Sequence, residues 1–127
     1  MAREPIPEDI QRFILMTVTS VPYLEAMLLL HNEPMRKWTR GEVAARLYVN
    51  ETKSSLLLAE LCEAGVAVHA PDGDSYSYHP SSEEHHHMIS RLAKTYAENL
   101  VEVAQLIHSA TGKKARQFAD AFKWRKE

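Results

Sequence analysis

The stretch from Thr39 to Pro80 constrains this chain most, because helix starts, helix stops and strand periodicity follow one another there at tight spacing. Thr39 and Glu42 have the T-x-x-E spacing of a capping box, which lets two side chains satisfy amides that a helix start leaves free. Val43, Ala44 and Leu47 give the helix after it an inner face. Asn50 is a good cap for a second helix, which turns Ser54, Leu57, Leu58 and Leu61 inward. Gly65 stands where a left-handed C-cap belongs. Val66, Val68 and Ala70 then alternate with Ala67 and His69. After Pro71-Asp72-Gly73-Asp74, Tyr76 and Tyr78 alternate with Ser75 and Ser77. Two runs of period two around a glycine-containing turn predict a hairpin. Trp38 anchors a strand-like segment ahead of Thr39. The bland reading is a small helical domain with an appended hairpin; the agreement of caps, stops and hairpin in order and spacing argues for something more definite.

On the N-terminal side, Ile10, Phe13, Ile14 and Val18 recur at helical spacing. Ser20 caps a further helix, with Pro22 tolerated in its first turn, where a missing N–H costs nothing. Leu24, Met27, Leu28 and His31 mark one face of it, and Asn32-Glu33-Pro34 ends it, since a residue before proline is pushed out of the helical region. On the C-terminal side, Ser81 and Glu84 have capping-box spacing and open a long helix. Ile89, Leu92, Tyr96, Asn99, Val103 and Leu106 fall on a heptad seam, beside a second stripe of Ala93, Ala97, Leu100, Ala104 and Ile107. Thr111-Gly112 breaks that helix, and Ala115, Phe118, Ala119 and Phe122 mark a last amphipathic one. The expected fold is mainly α with a small β-hairpin, in a single domain over residues 1–127: a core at 20–80, and C-terminal helices at 81–127.

With 127 residues the chain is one domain by length. Apolar residues at 45% and charged residues at 25% are the mix of a globular protein. No apolar run approaches the roughly 18 residues that span a bilayer, the N-terminus has no signal-peptide pattern, and the lone Cys62 excludes an internal disulfide framework. A cytoplasmic protein without membrane partners is the expectation. The net charge of −2 gives no global attraction to polyanions. Residues 81–127 carry 8 basic and 6 acidic groups, with Lys113, Lys114, Arg116, Lys123, Arg125 and Lys126 crowding the end.

Helix, turn, helix and hairpin in this order is the plan of a winged helix-turn-helix with flanking helices, including a long C-terminal one. The run from Asn50 to Val68 resembles the recognition helix and first wing strand of bacterial winged-helix regulators, with MarR-type repressors the nearest comparison: Leu57, Leu61, Gly65 and Val66 match the Leu…Leu…Gly-Leu/Val spacing. The likeness covers about residues 20–80. The ending Arg116 to Lys123 is also similar to that of small uncharacterised bacterial proteins of this architecture, which brings no activity with it. The resemblance implies a DNA-binding transcriptional regulator, homodimeric through helices flanking the wing. Thr52, Lys53 and Ser55 would lie nearest the bases, with Arg36, Lys37, Arg40 and Arg46 on phosphates. The position often Arg in the family is Leu56 here, and the wing tip carries Asp72 and Asp74 instead of a basic residue.

Those departures sustain an alternative, a protein–protein interaction module on the same fold, with Leu56 as a contact in a protein groove. A small-molecule sensor is a third possibility. The heptad seam of Ile89, Leu92, Tyr96, Asn99, Val103 and Leu106 predicts the dimer interface; the alternative is a helix folded over its own domain. In Glu83-Glu84-His85-His86-His87 the histidines point in different directions, so acidic groups at a helix start followed by solvated histidines is the simpler reading than a metal site. Cys62 reads as a small buried hydrophobe, and His31 as a cap-region residue. Tyr76 and Tyr78 pack the wing, and Trp124 packs the last helix. No nucleophile elbow, phosphate loop, zinc ribbon or paired catalytic carboxylate pattern is present. Neither enzymatic activity nor a cofactor is expected.

Overall fold

The computed structural model describes residues 5–71 and 73–110. Asp72, the basic cluster from Lys113 to Lys126, the predicted helix of Ala115, Phe118, Ala119 and Phe122, and Trp124 lie outside the described residues. The described elements are α1 (Glu8–Thr17), α2 (Val21–Asn32), β1 (Trp38–Thr39), α3 (Arg40–Leu47), α4 (Glu51–Glu63), β2 (Ala67–His69), β3 (Ser75–Tyr78) and α5 (Glu83–Glu98). A further helix, α6, occupies 100–110. The architecture is mostly helical with one small three-stranded antiparallel sheet, ordered β1-β3-β2.

Local chemistry places most boundaries. Ser20 accepts a hydrogen bond from the Tyr23 amide at 3.2 Å and starts α2. Thr39 and Glu42 form the full capping box: the Glu42 amide donates to Thr39 Oγ1 at 3.2 Å, and the Thr39 amide donates to Glu42 Oε1 at 2.9 Å. Asn50 Oδ1 accepts from the Lys53 amide at 2.7 Å. At the far end of α4, Gly65 has φ +75°, its amide donates to Cys62 O, and the Val66 amide donates to Leu61 O. That pair of bonds is a Schellman ending, which needs a left-handed residue at this point. A third strand was legible only as the strand-like segment at Trp38. Trp38 faces Tyr76 and Thr39 faces Ser75 across β1 and β3, while Ala67 faces Tyr78 across β2 and β3.

Helix α2 is apolar nearly all round and lies at the centre, as such helices do. Tyr23, Leu24, Ala26, Met27, Leu28 and Leu30 are all buried. Around it pack Ile10, Ile14 and Val18 from the α1 region, Val43 from α3, Leu57, Leu58 and Leu61 from α4, and Val66, Ala67 and Tyr78 from the sheet region. Each fully buried Leu or Ile contributes about 1.5–3 kcal/mol relative to exposure. Ser54 is also buried, and its hydroxyl donates to Arg40 O at 2.8 Å, tying α4 to the start of α3. Among the described residues no single helix is long and apolar enough to cross a bilayer; α1 and α2 together are bent by 109° at their junction.

Two expectations for the C-terminal half are corrected. The cap of α5 is Ser82, which accepts from the His85 amide at 3.0 Å; Ser81 instead pairs with the His85 ring at 2.9 Å, so the Ser81–Glu84 box does not form. The long helix is interrupted at Asn99, whose backbone (φ −134°, ψ 49°) ends α5, and whose carbonyl then accepts from the Val103 amide at the start of α6. Beyond the break, Val103 and Ile107 are 0% and 1% exposed and join the core. Backbone hydrogen bonds recovered by a continuous helix are worth about 0.5–1.5 kcal/mol each. Burying two aliphatic side chains is worth about 1.5–3 kcal/mol each, so packing wins over helix continuity.

The predicted seam therefore lies inside one chain. Ile89, Leu92 and Val103 are in the core, Tyr96 and Leu106 pack against it half-buried, and Asn99 is 5% exposed. A seam covering its own core is not a free face for a second chain. Left outside are Ala97, Leu100 and Val101.

A polar cluster joins the sheet to α2 and α5. Tyr78 Oη lies 2.7 Å from His86 Nδ1, and His31 Nε2 lies 2.9 Å from Ser90 Oγ. The His31 ring meets Tyr78 edge-on at 5.5 Å and lies 5.8 Å from the His86 ring. Burial, then the nearby His86, holds the His31 pKa below its ordinary value, with Asn32 offsetting part of this; burial alone lowers that of His85. A histidine with a lower pKa in the fold than in the unfolded chain takes up protons on unfolding. Its stabilising effect is complete above the ordinary value of 6.5 and is lost as pH falls below it. The urea midpoint should therefore drop between about pH 7 and about pH 5.5. His31→Gln should flatten that slope; an unchanged slope would rule out His31 as a contributor. Burial also pushes the Tyr78 hydroxyl up to about 12, so it stays neutral throughout.

Candidate nucleic-acid interface

The connection between α3 and α4 presents the sequence-predicted contact residues. Helix α3 ends at Tyr48, in the left-handed region (φ 57°, ψ 42°), and the Val49 amide donates to Ala44 O at 3.1 Å. Asn50 caps α4 two residues later, so α4 sets off directly from the turn. Its first turn is solvated: Glu51, Thr52 and Lys53 are exposed, while Ser54 faces the core and Ser55 is half-buried. Leu56 is 57% exposed, as its place beside the inward stripe predicts. Glu51 sends its carboxylate back towards the start of α3, where a Cβ added to Gly41 would lie 3.2 Å from Glu51 Oε1. That places its negative charge at the N-terminal end of α3, where a helix favours an anion.

The four predicted phosphate contacts separate into two groups. Lys37 and Arg40 are exposed, and no ion pair is seen for either among the described residues. Arg36 is engaged within the chain. Its guanidinium reaches Glu33 at 3.4 Å and Glu42 at 3.1 Å and stacks over the Trp38 ring at 3.8 Å. Arg46 lies 5.4 Å over the same ring and 4.0 Å from Glu33, with 53% of its side chain exposed. Glu42 has its carboxyl pKa lowered by the Thr39 amide first and Arg36 second. Sequence reasoning assigned Arg36 outward; the acidic and aromatic groups that hold it come together only when β1 meets α3. Its spacing to Glu33 was readable, but that to Trp38 was not decisive.

The remaining polar features carry less. His69 stacks on Tyr76 at 4.5 Å across β2 and β3, so Tyr76 serves the hairpin itself, and Tyr78 packs inward. Cys62 is partly buried, and burial pushes its thiol pKa up, the opposite of what an activated thiolate needs. Among the described residues no three His, Cys, Asp or Glu side chains converge as metal ligands would. His31 and His86 are structural neighbours that the sequence did not pair.

No protein-family model and no curated protein matches the chain. A solved structure does: a possible transcriptional regulator from Methanosarcina mazei Go1 is similar with a TM-score of 0.51 and 18% sequence identity, over 80% of this chain and 92% of that one. At that identity the likeness is one of fold.

Proposed function

We propose that this chain is a non-catalytic transcriptional regulator of the winged helix-turn-helix kind that binds double-stranded DNA through the start of α4. The observation that carries this is the solvated first turn of α4: Thr52 and Lys53 are exposed, and the turn is braced by the Asn50 cap and by Ser54 Oγ donating to Arg40 O, with Lys37 and Arg40 also exposed. The β2–β3 hairpin takes the place of the wing. The fold it shares with the possible transcriptional regulator from Methanosarcina mazei supports the same reading. Binding is expected to be modest. With Arg36 held by Glu33 and Glu42, about three or four cations per chain remain for phosphates, so log K should fall against log salt with a slope of about 3 per protomer. Fluorescence anisotropy with random-sequence duplex at low and near-physiological salt tests this. Lys53→Ala should weaken binding and reduce the salt slope by about 1; an unaltered chain that fails to bind at low salt sinks the reading.

Two copies would double the contacts. With the heptad seam buried, the surface we propose for such a dimer is the exposed Ala97, Leu100 and Val101. Light scattering at micromolar concentration should give a mass of two chains, and Leu100→Glu should halve it; a one-chain mass for the unaltered protein counts against the dimer.

The second reading, a protein-interaction module, is favoured by Leu56 at 57% exposure on the same helix face as the first turn. A partner captured through Leu56, with no DNA affinity, would select it.

A further inference from the structure

The geometry points to Tyr48 as a phosphate-contacting residue of the DNA interface, placed in the turn between α3 and α4 to donate its hydroxyl to the backbone of bound duplex; this rests on the DNA-binding reading above. The chain ends two consecutive helices with the same hydrogen-bond pattern. After α4 the Val66 amide donates to Leu61 O around Gly65 at φ +75°; after α3 the Val49 amide donates to Ala44 O around Tyr48 at φ 57°. The second site takes glycine, which adopts this conformation freely. The first takes tyrosine, the one non-glycine residue with positive φ among those described. Bulky residues are genuine outliers in that region.

Packing does not account for the choice. Tyr48 is 95% exposed, the most exposed large hydrophobic residue described. The ring contributes nothing to the core and sits on a backbone that resists it, so its use lies outside the fold. Its surroundings indicate which partner. Tyr48 is two residues after the half-exposed Arg46, two before the exposed Asn50 cap and five before the exposed Lys53; the one acidic residue in that stretch, Glu51, turns its carboxylate back towards the start of α3. Polar and cationic neighbours suit a polyanion rather than an apolar protein groove. A tyrosine hydroxyl is among the groups that bind phosphate oxygens and set register on a duplex. The left-handed turn is what aims the side chain into solvent at the point where α4 sets off.

Tyr48→Gly separates the two roles, because structure and binding should move in opposite directions. Its melting midpoint should rise, since glycine relieves the turn. Its affinity for random-sequence duplex should fall about two- to tenfold, the worth of one hydrogen bond. Tyr48→Phe should reproduce most of the affinity loss without the gain in midpoint. Wild-type affinity in both variants, with the unaltered chain binding duplex, overturns the assignment of Tyr48 alone. No binding by the unaltered chain overturns it together with the DNA-binding reading.

Discussion

Trp38→Ala should lower stability by about 3–5 kcal/mol, the cost of removing a buried large aromatic side chain. Trp38 is fully buried and is half of the two-residue strand β1, whose place in the sheet is its pairing with Tyr76 and Ser75. The Arg36 and Arg46 guanidinium groups lie over its ring. Losing the ring leaves a cavity beneath two cations and removes what holds the start of α3. Its indole Nε1 is buried and meets no hydrogen-bond partner among the described residues, so Trp38→Phe keeps most of the buried ring without giving up a hydrogen bond seen there, and should cost clearly less. Urea unfolding followed by circular dichroism measures both. A loss under about 1 kcal/mol for the alanine variant would mean that the sheet and α3 are held by something other than Trp38.

Gly65→Val should cost about 2 kcal/mol or more. The backbone there has φ +75°, where a non-glycine residue costs about 1–3 kcal/mol. A Cβ would also sit 3.1 Å from Ser81 Cβ, closer than ordinary contact. Ser81 is exposed and can give way, so crowding adds less than the backbone term, and Gly65→Ala should lie at the lower end. The affected point is the junction from α4 into β2, so the variant should also lose protection of the Val66 and His79 amides to hydrogen exchange; the latter donates to Val66 O at 2.8 Å. Full stability in the valine variant would contradict the Schellman ending.

What could be read beforehand follows the range of the interactions. Ser20, the Thr39–Glu42 pair, Asn50 and Gly65 act within about one helical turn of themselves, and each stands where the sequence placed it. Ser82 for Ser81 is an error of one residue between two adjacent serines with equal capping chemistry. The inward faces of α2, α3 and α4 were also legible, because a stripe at helical spacing has only one way to be buried. The contact residues were legible only in part. Thr52 and Lys53 are exposed as expected, but Arg36 is held by Glu33, Glu42 and Trp38. Tyr48 carried no signal at all, since positive φ at a tyrosine is not written in its spacing.

The sequence by itself determined where the helices start and stop, which stripes are apolar, and that a hairpin follows α4. These depend on hydrogen bonds and periodicities between near neighbours. Only the tertiary structure decided that β1 joins the hairpin as a third strand, that His31 meets Ser90 across 59 residues, and that the C-terminal seam closes over its own core. The last choice shows the reason most plainly. Ile89, Leu92, Val103 and Leu106 at heptad spacing offer an apolar face to any surface that fits. A break at Asn99, at the cost of roughly one or two backbone hydrogen bonds, brings Val103 and Ile107 against the chain's own core, and burial is indifferent to which chain supplies the other side.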